Sequence, residues 1–154
     1  MLLAMMDPSA NSPTDATNLD AALPSFYSEL LVIAMGGACG ASLRHSVSLF
    51  ITSAQWHFTF ATAVANLLGS FLLGVFVGYV ATGVPHPLLR PFLTIGVFGS
   101  FTTFSALAMD NRRLAAESNE VTAAIHLGLS IVSGLAAFVL AERLSTRFFR
   151  RNPR

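Results

Sequence analysis

The sequence has little charge, a single cysteine and no lysine. Only 11% of its 154 residues are charged, whereas 53% are hydrophobic, and the mean hydropathy is +0.62. These values lie far from those of soluble domains and indicate an integral membrane protein. Because Cys39 is the only cysteine, a disulfide within the chain and a metal site built from cysteines are both excluded.

The nine basic residues are all arginine, and most lie at segment ends or near the C-terminus. They form no patch that would suit nucleic acid, which is therefore not an expected partner. No serine, histidine and acid are spaced as in a catalytic triad. The four histidines form no pair of metal ligands one helical turn apart, and both observations argue against an enzyme. The arginines and aromatics from Arg143 to Arg151 are predicted to lie at an anionic lipid surface.

Four apolar segments each approach the roughly 20 residues needed to cross about 30 Å of hydrocarbon. We therefore predict an all-α integral membrane domain over residues 26–145, with four transmembrane helices. Residues 1–25 are rich in Asp, Asn, Ser, Thr and Pro and are predicted to form a disordered tail, and residues 146–154 a basic tail. The predicted spans cover about residues 28–52, 58–81, 89–109 and 121–142.

The third segment contains a hydroxyl-rich stretch, GSFTTFS, at residues 99–105. Irregular backbone survives in hydrocarbon only where protein buries it or where it lines a polar cavity. We predict that the third helix is broken near its centre, so that two half-helix ends supply oriented donors and acceptors. The alternative is a continuous helix whose hydroxyls bond back to the carbonyl four residues earlier.

Two polar side chains stand out in the first two segments. Arg44 lies in the first segment. It is either a functional charge that faces water or pairs with another group, or an arginine whose side chain snorkels to the membrane interface. Asn66 in the second either lines an aqueous path or joins two helices through a hydrogen bond.

Small and polar residues mark two helix faces. Gly36 and Gly40 form a GxxxG pair, which is typical of close helix packing in membranes. In the fourth segment a polar face either lines a conduit or makes ordinary back-bonds, and its histidine is more often a packed neutral residue than a proton carrier. This face consists of Thr122, His126, Ser130 and Ser133.

The polar groups inside the predicted bundle are mainly hydroxyl and amide donors. Such a set suits a dehydrated anion better than a cation. A proton-coupled small four-helix exporter, the main alternative, needs a carboxylate within the membrane. The acids nearest the segments are predicted at span ends: Glu29, Asp110, Glu120 and Glu142.

Three motifs resemble the family of small fluoride channels, called Fluc or CrcB, in register over about residues 30–143. The motifs read GGxxGAxxR at 36–44, NLxGSF at 66–71 and GxFGSFTTFS at 96–105. The resemblance implies an antiparallel dimer in the inner (plasma) membrane, with two pores through which fluoride leaves the cytoplasm passively. It also implies a structural sodium ion held by the backbone carbonyls of Gly99 and Thr102 from each subunit.

The resemblance also implies roles for individual side chains. Asn66 would donate to fluoride, and Phe104 would present its positive ring edge to the ion. Thr103 and Ser105 would add hydroxyls, and Ser130 would continue the polar track. Arg44 would raise the anion concentration at the pore mouth or pair with an acid.

Two features depart from the family pattern. The second phenylalanine of the motif is replaced by Leu107, which has no positive ring edge. The side of the membrane that holds both termini carries Arg90 and five tail arginines, against Arg112 and Arg113 opposite. The main expectation is an antiparallel homodimer. Because arginine bias sets orientation, we hypothesise as the alternative that the chain inserts mainly with both termini inside and pairs with an oppositely oriented homologue. In that alternative this chain is a non-conducting subunit of a heterodimeric fluoride channel.

Overall fold

The computed structural model describes residues 13–55, 57–83 and 86–151, with side chains from Phe26 onward. In this described part all regular secondary structure is helical, and there is no strand. Four spans are long and apolar enough to cross a membrane. The predicted all-α architecture with four transmembrane helices is therefore confirmed.

Five helices follow one another along the described chain. Helix α1 covers Pro13–Ser53 and α2 covers Thr59–Val80. Helix α3, residues 89–101, opens with Leu89–Pro91, widens into a π-helix over Phe92–Phe98 and closes with Gly99–Phe101. Together α3 and the next helix form the third span. That helix, α4, covers Phe104–Glu117, and α5 covers Glu120–Arg151.

Three helix ends differ from the predicted boundaries. Helix α1 already begins at Pro13, inside the predicted disordered tail, and proline is favoured at a first helical position; residues 1–12 lie outside the described part. Helix α4 continues to Glu117, because Leu107, Asp110 and Leu114 recur at helical spacing and are buried. Helix α5 runs to Arg151 and takes in most of the predicted basic tail.

Helix α1 packs against α3 through glycines. A Cβ atom added at Gly36 would lie 2.5 Å from the carbonyl oxygen of Phe92, and one added at Gly40 would overlap the carbonyl oxygen of Val97. Gly96 of α3 packs in turn against the backbone of Gly36. The GxxxG pair therefore allows close backbone packing, as predicted.

Helix α2 packs along α5, and it also touches α3. The Ser145 hydroxyl of α5 donates to the carbonyl of Val75 at 2.7 Å. Near the same end, the rings of Tyr79 and Phe149 meet edge to face with centroids 5.1 Å apart. The Phe76 ring lies 6.5 Å from that of Phe98 in α3. These contacts hold the C-terminal half of α2 against α5 and α3.

Replacing Gly40 with alanine should destabilise the protein by about 1–3 kcal/mol, because the new methyl group must displace the α3 backbone. The matched control is Gly128→Ala on α5, where an added Cβ meets nothing within 4 Å. Thermal unfolding of both variants in detergent would measure the difference. Equal melting temperatures for the two variants would show that α1 and α3 do not pack through Gly40.

Candidate functional site

The third span is interrupted where its hydroxyl-rich stretch lies. Helix α3 ends at Phe101, and Thr102 (φ −82°, ψ 150°) and Thr103 (φ −153°, ψ 118°) are extended before α4 begins at Phe104. The continuous-helix alternative is therefore wrong for the backbone. One of the bonds from a hydroxyl to the carbonyl four residues earlier, which that alternative predicts, is nevertheless present: Thr102 Oγ1 donates to the carbonyl of Phe98 at 2.9 Å.

The Asn66 side chain binds the broken backbone directly. Its Oδ1 accepts from the N–H of Thr103 at 2.7 Å, and its Nδ2 donates to the carbonyl of Thr103 at 3.1 Å. Asn66 thus joins two helices, which is one of the two roles that the sequence left open. An amide nitrogen carries two N–H groups, so one remains for a ligand.

Thr103 also caps the helix that follows. Its Oγ1 accepts from the N–H of Ala106 at 3.2 Å and lies 3.0 Å from the hydroxyl of Ser105. A threonine at this position satisfies one of the free N–H groups at a helix N-terminus. Ser105 is exposed and reaches the site only through this contact with Thr103.

Arg44 holds the other side of the break. Its Nε donates to the carbonyl of Ser100 at 3.2 Å, at the C-terminal end of α3. Carbonyls at a helix C-terminus lack partners within the helix, and a cation stabilises them. The partner of Arg44 among the described residues is therefore a backbone carbonyl and not an acid.

A groove of about 420 Å³ opens beside the break, between α2, α4 and α5. It brings together Asn66, Thr103, Phe104 and Ser130, four of the predicted site residues. Phe104 is 69% exposed, whereas Leu107, which lines the same groove, is only 4% exposed. The remaining lining residues are Ser70, Leu73, Thr102, Ile131, Gly134, Leu135 and Phe138.

A second cavity of about 410 Å³ lies on the α1 side of the break. Arg44 lines this cavity and not the groove, so the structure separates it from Phe104 and Ser130. Thr103 lines both spaces and therefore stands between them. The polar side chains around the second cavity are Arg44, His45, Ser48, Thr52, Thr62, Thr103, Asp110 and Arg113.

Asp110 corrects one conclusion from the sequence. It was placed at a span end beside a wet loop, yet it is only 8% exposed and lines the second cavity. Its Oδ2 accepts from the hydroxyl of Thr62 at 2.5 Å. A buried acid is therefore present after all; continuing the Leu107 and Leu114 face at helical spacing would have located it.

The break also frees backbone carbonyls. In a continuous helix Gly99 would accept from the N–H of Thr103 and Thr102 from that of Ala106. Those donors are instead taken by Asn66 Oδ1 and by the Thr103 hydroxyl. Within the described residues, the carbonyls of Gly99 and Thr102 thus lose their helical partners, and such oxygens are ligands that a hard cation prefers.

His126 stays apart from both cavities. Both of its ring nitrogens are buried and have no hydrogen-bond partner among the described side chains and backbone. It lines neither the groove nor the second cavity. This agrees with a packed histidine better than with a proton carrier in the pathway.

Comparison with known proteins gives a consistent result. The family model described as "CrcB-like protein, Camphor Resistance (CrcB)" matches residues 31–142. The "Fluoride-specific ion channel FluC" of Aeromonas salmonicida is 37% identical over 117 residues, covering 74% of this chain and 93% of that protein. A FluC of Saccharophagus degradans is 38% identical over 118 residues, covering 76% and 89% respectively. FluC 2 of Nocardia farcinica is 37% identical over 126 residues, covering 79% and 90%.

Replacing Asn66 with leucine should remove both bonds to Thr103 and leave its part-buried N–H unpaired, a loss of about 1–3 kcal/mol. We expect a lower melting temperature and faster hydrogen exchange in the peptide that contains Thr102 and Thr103. Ser70→Ala, one turn away on the groove wall, keeps those bonds and is the matched control. Unchanged exchange in Asn66→Leu would contradict the role of Asn66 in holding the break.

Proposed function

The chain belongs to the CrcB family, and on that premise we propose that it is a fluoride-selective channel that lets fluoride leave the cytoplasm passively and so reduces fluoride toxicity. As a four-span protein it works within a membrane, which we take to be the inner (plasma) membrane. No enzymatic step is part of the proposed function.

The observation that supports fluoride most strongly is the groove at the break. Its polar groups are the Asn66 amide and the hydroxyls of Ser70, Thr103 and Ser130, and it contains no carboxylate. Closely spaced donors can replace the water that a small anion loses. The exposed Phe104 ring adds an edge that carries partial positive charge.

We propose that the two cavities act in sequence. Arg44 and Arg113 line the second cavity and would concentrate anions there. Thr103, which lines both spaces, would pass the ion to the groove, where Asn66, Phe104 and Ser130 would receive it. Ser105 would support the Thr103 hydroxyl and not contact the ion.

A structural sodium ion fits the freed carbonyls of Gly99 and Thr102. Gly99 is exposed on the surface of the subunit, so its carbonyl is open to a second copy. A bound cation would supply positive charge beside the pathway, which lowers the free energy of an anion there. Asn66 and Thr103 keep these carbonyls available by taking their usual donors.

Two features bear on which partner subunit this chain takes. Leu107 places an aliphatic side chain on the groove wall where the family has a second ring, so a homodimer would carry half of the aromatic lining. The excess of arginine on the side of the termini favours one orientation. We therefore propose an antiparallel pair, with an oppositely oriented homologue as the favoured partner.

Asp110 supports one competing function. A buried carboxylate is what a proton-coupled exporter requires, and Asp110 is buried beside the second cavity. The two functions differ in their response to a proton gradient. Passive efflux follows the electrochemical gradient of fluoride and needs no proton gradient, whereas coupled export stops when the proton gradient is removed.

Purified protein in liposomes should release trapped fluoride, measured with a fluoride electrode, with no proton gradient and with little release of chloride. Phe104→Leu should slow release about two- to tenfold, if the ring edge is worth as much to the anion as it contributes in aromatic pairs, about 0.5–1.5 kcal/mol. Ser133→Ala is the control, because this exposed hydroxyl lies outside the groove. Absence of release, with or without a homologous partner, would contradict the channel; release only with a proton gradient would favour the exporter.

Tagging both termini and scoring their accessibility in intact cells tests the orientation. The arginine bias predicts that most copies have both termini inside. Removing positive charge from that side, by replacing Arg147, Arg150 and Arg151 with glutamine, should then increase the fraction of copies with both termini outside. Equal populations of the two orientations in the unaltered protein would contradict the heterodimer proposal.

A further inference from the structure

A third cavity, of about 310 Å³, lies at the end of the bundle where the C-terminus emerges. It lies between the end of α2, the beginning of α3 and the middle of α5. We call it the terminal groove, and five of its seven lining residues are apolar. Its lining residues are Leu73, Phe76, Val77, Val80, Arg90, Thr94 and Phe138.

The terminal groove is amphiphilic. Arg90 is its only charged residue and is exposed, and the Thr94 hydroxyl already donates to the carbonyl of Arg90 at 2.8 Å. A small hydrated ion needs several polar groups to replace its water, which this lining does not offer. A hydrocarbon chain with an anionic group at one end matches it much better.

Further positive charge lies at the same end of the bundle. Helix α5 has 32 residues and is about 48 Å long, so it extends well beyond about 30 Å of hydrocarbon. The Tyr79–Phe149 contact ties this extension to the end of α2. Arg143, Arg147 and Arg151 recur every four residues on it, and all three are exposed.

These arginines are not neutralised by neighbouring acids. From residue 121 to 151 the only acidic side chain is Glu142. Among the described residues, no carboxylate lies within 4.0 Å of Arg90, Arg143, Arg147 or Arg151; the ion pair that is present joins His57 and Glu117. The arginines are therefore available to an anionic ligand.

We propose that the terminal groove binds one anionic phospholipid. One acyl chain would lie along Phe76, Val77 and Phe138, and the phosphate would contact Arg90, with the α5 arginines raising the local concentration of anionic headgroups. Basic pockets between transmembrane helices are known to select such lipids. The site lies outside the break and does not depend on which ion the channel carries.

The test is lipid retention by the full-length protein, purified in a neutral detergent and supplied with phosphatidylglycerol or phosphatidylcholine in equal amounts. Native mass spectrometry counts the lipids that remain bound. We expect phosphatidylglycerol to be retained over phosphatidylcholine, and Arg90→Gln to weaken its retention about fivefold. Arg112→Gln, which removes an exposed arginine at the other end of the bundle, should have no effect.

A second variant separates the groove from its charge. Val77→Trp keeps every arginine but fills the terminal groove, and it should also lose phosphatidylglycerol, while its melting temperature in detergent reports whether it has folded. Inorganic phosphate at the same concentration should not displace the lipid. Equal loss in Arg90→Gln and Arg112→Gln, displacement by phosphate, or no retained lipid because a second copy covers the groove would each overturn the proposal.

Discussion

Two hydrogen bonds between the Asn66 amide and the backbone of Thr103 make an interrupted helix possible inside a membrane. Without them the Thr103 N–H would lie unpaired in a region where water is scarce, which is strongly unfavourable, and the Thr103 carbonyl would lose the donor that Asn66 adds. The rest of the site follows from this arrangement. Because one side chain supplies both an acceptor and a donor, the backbone can leave the helix for two residues and return.

The break redistributes hydrogen bonds in a way that produces a site. Asn66 takes the Thr103 N–H and the Thr103 hydroxyl takes the Ala106 N–H, so the carbonyls of Gly99 and Thr102 lose their helical partners, and we propose that they hold a cation. The carbonyl oxygens of Gly99 and Thr102 and the hydroxyl of Thr103 thus lie within a stretch of five residues but are offered to ions of opposite charge. On either side of Thr103 lies a cavity, one lined by two arginines and one by amide and hydroxyl groups.

The sequence allowed the four spans, the glycine contacts and the break to be predicted, because each depends on local composition or on spacing along one helix. What it could not give were the partners of Asn66, Arg44 and Asp110. Those bonds join residues 37, 56 and 48 positions apart, so they exist only once the helices have packed. The buried Asp110 was misplaced because a charged cluster at 110–113 resembles a loop, although the apolar spacing of α4 continues through it.

The most direct test of the account is the ion selectivity of single channels in a planar bilayer, with fluoride on one side and chloride on the other. Donors spaced for a small anion predict a reversal potential close to that of a membrane permeable to fluoride alone. If Leu107 prevents a homodimer from conducting, the same potential should be recorded with the homologous partner present. A reversal potential near zero, or fixed by the cation gradient, would contradict a fluoride-selective pathway at the break.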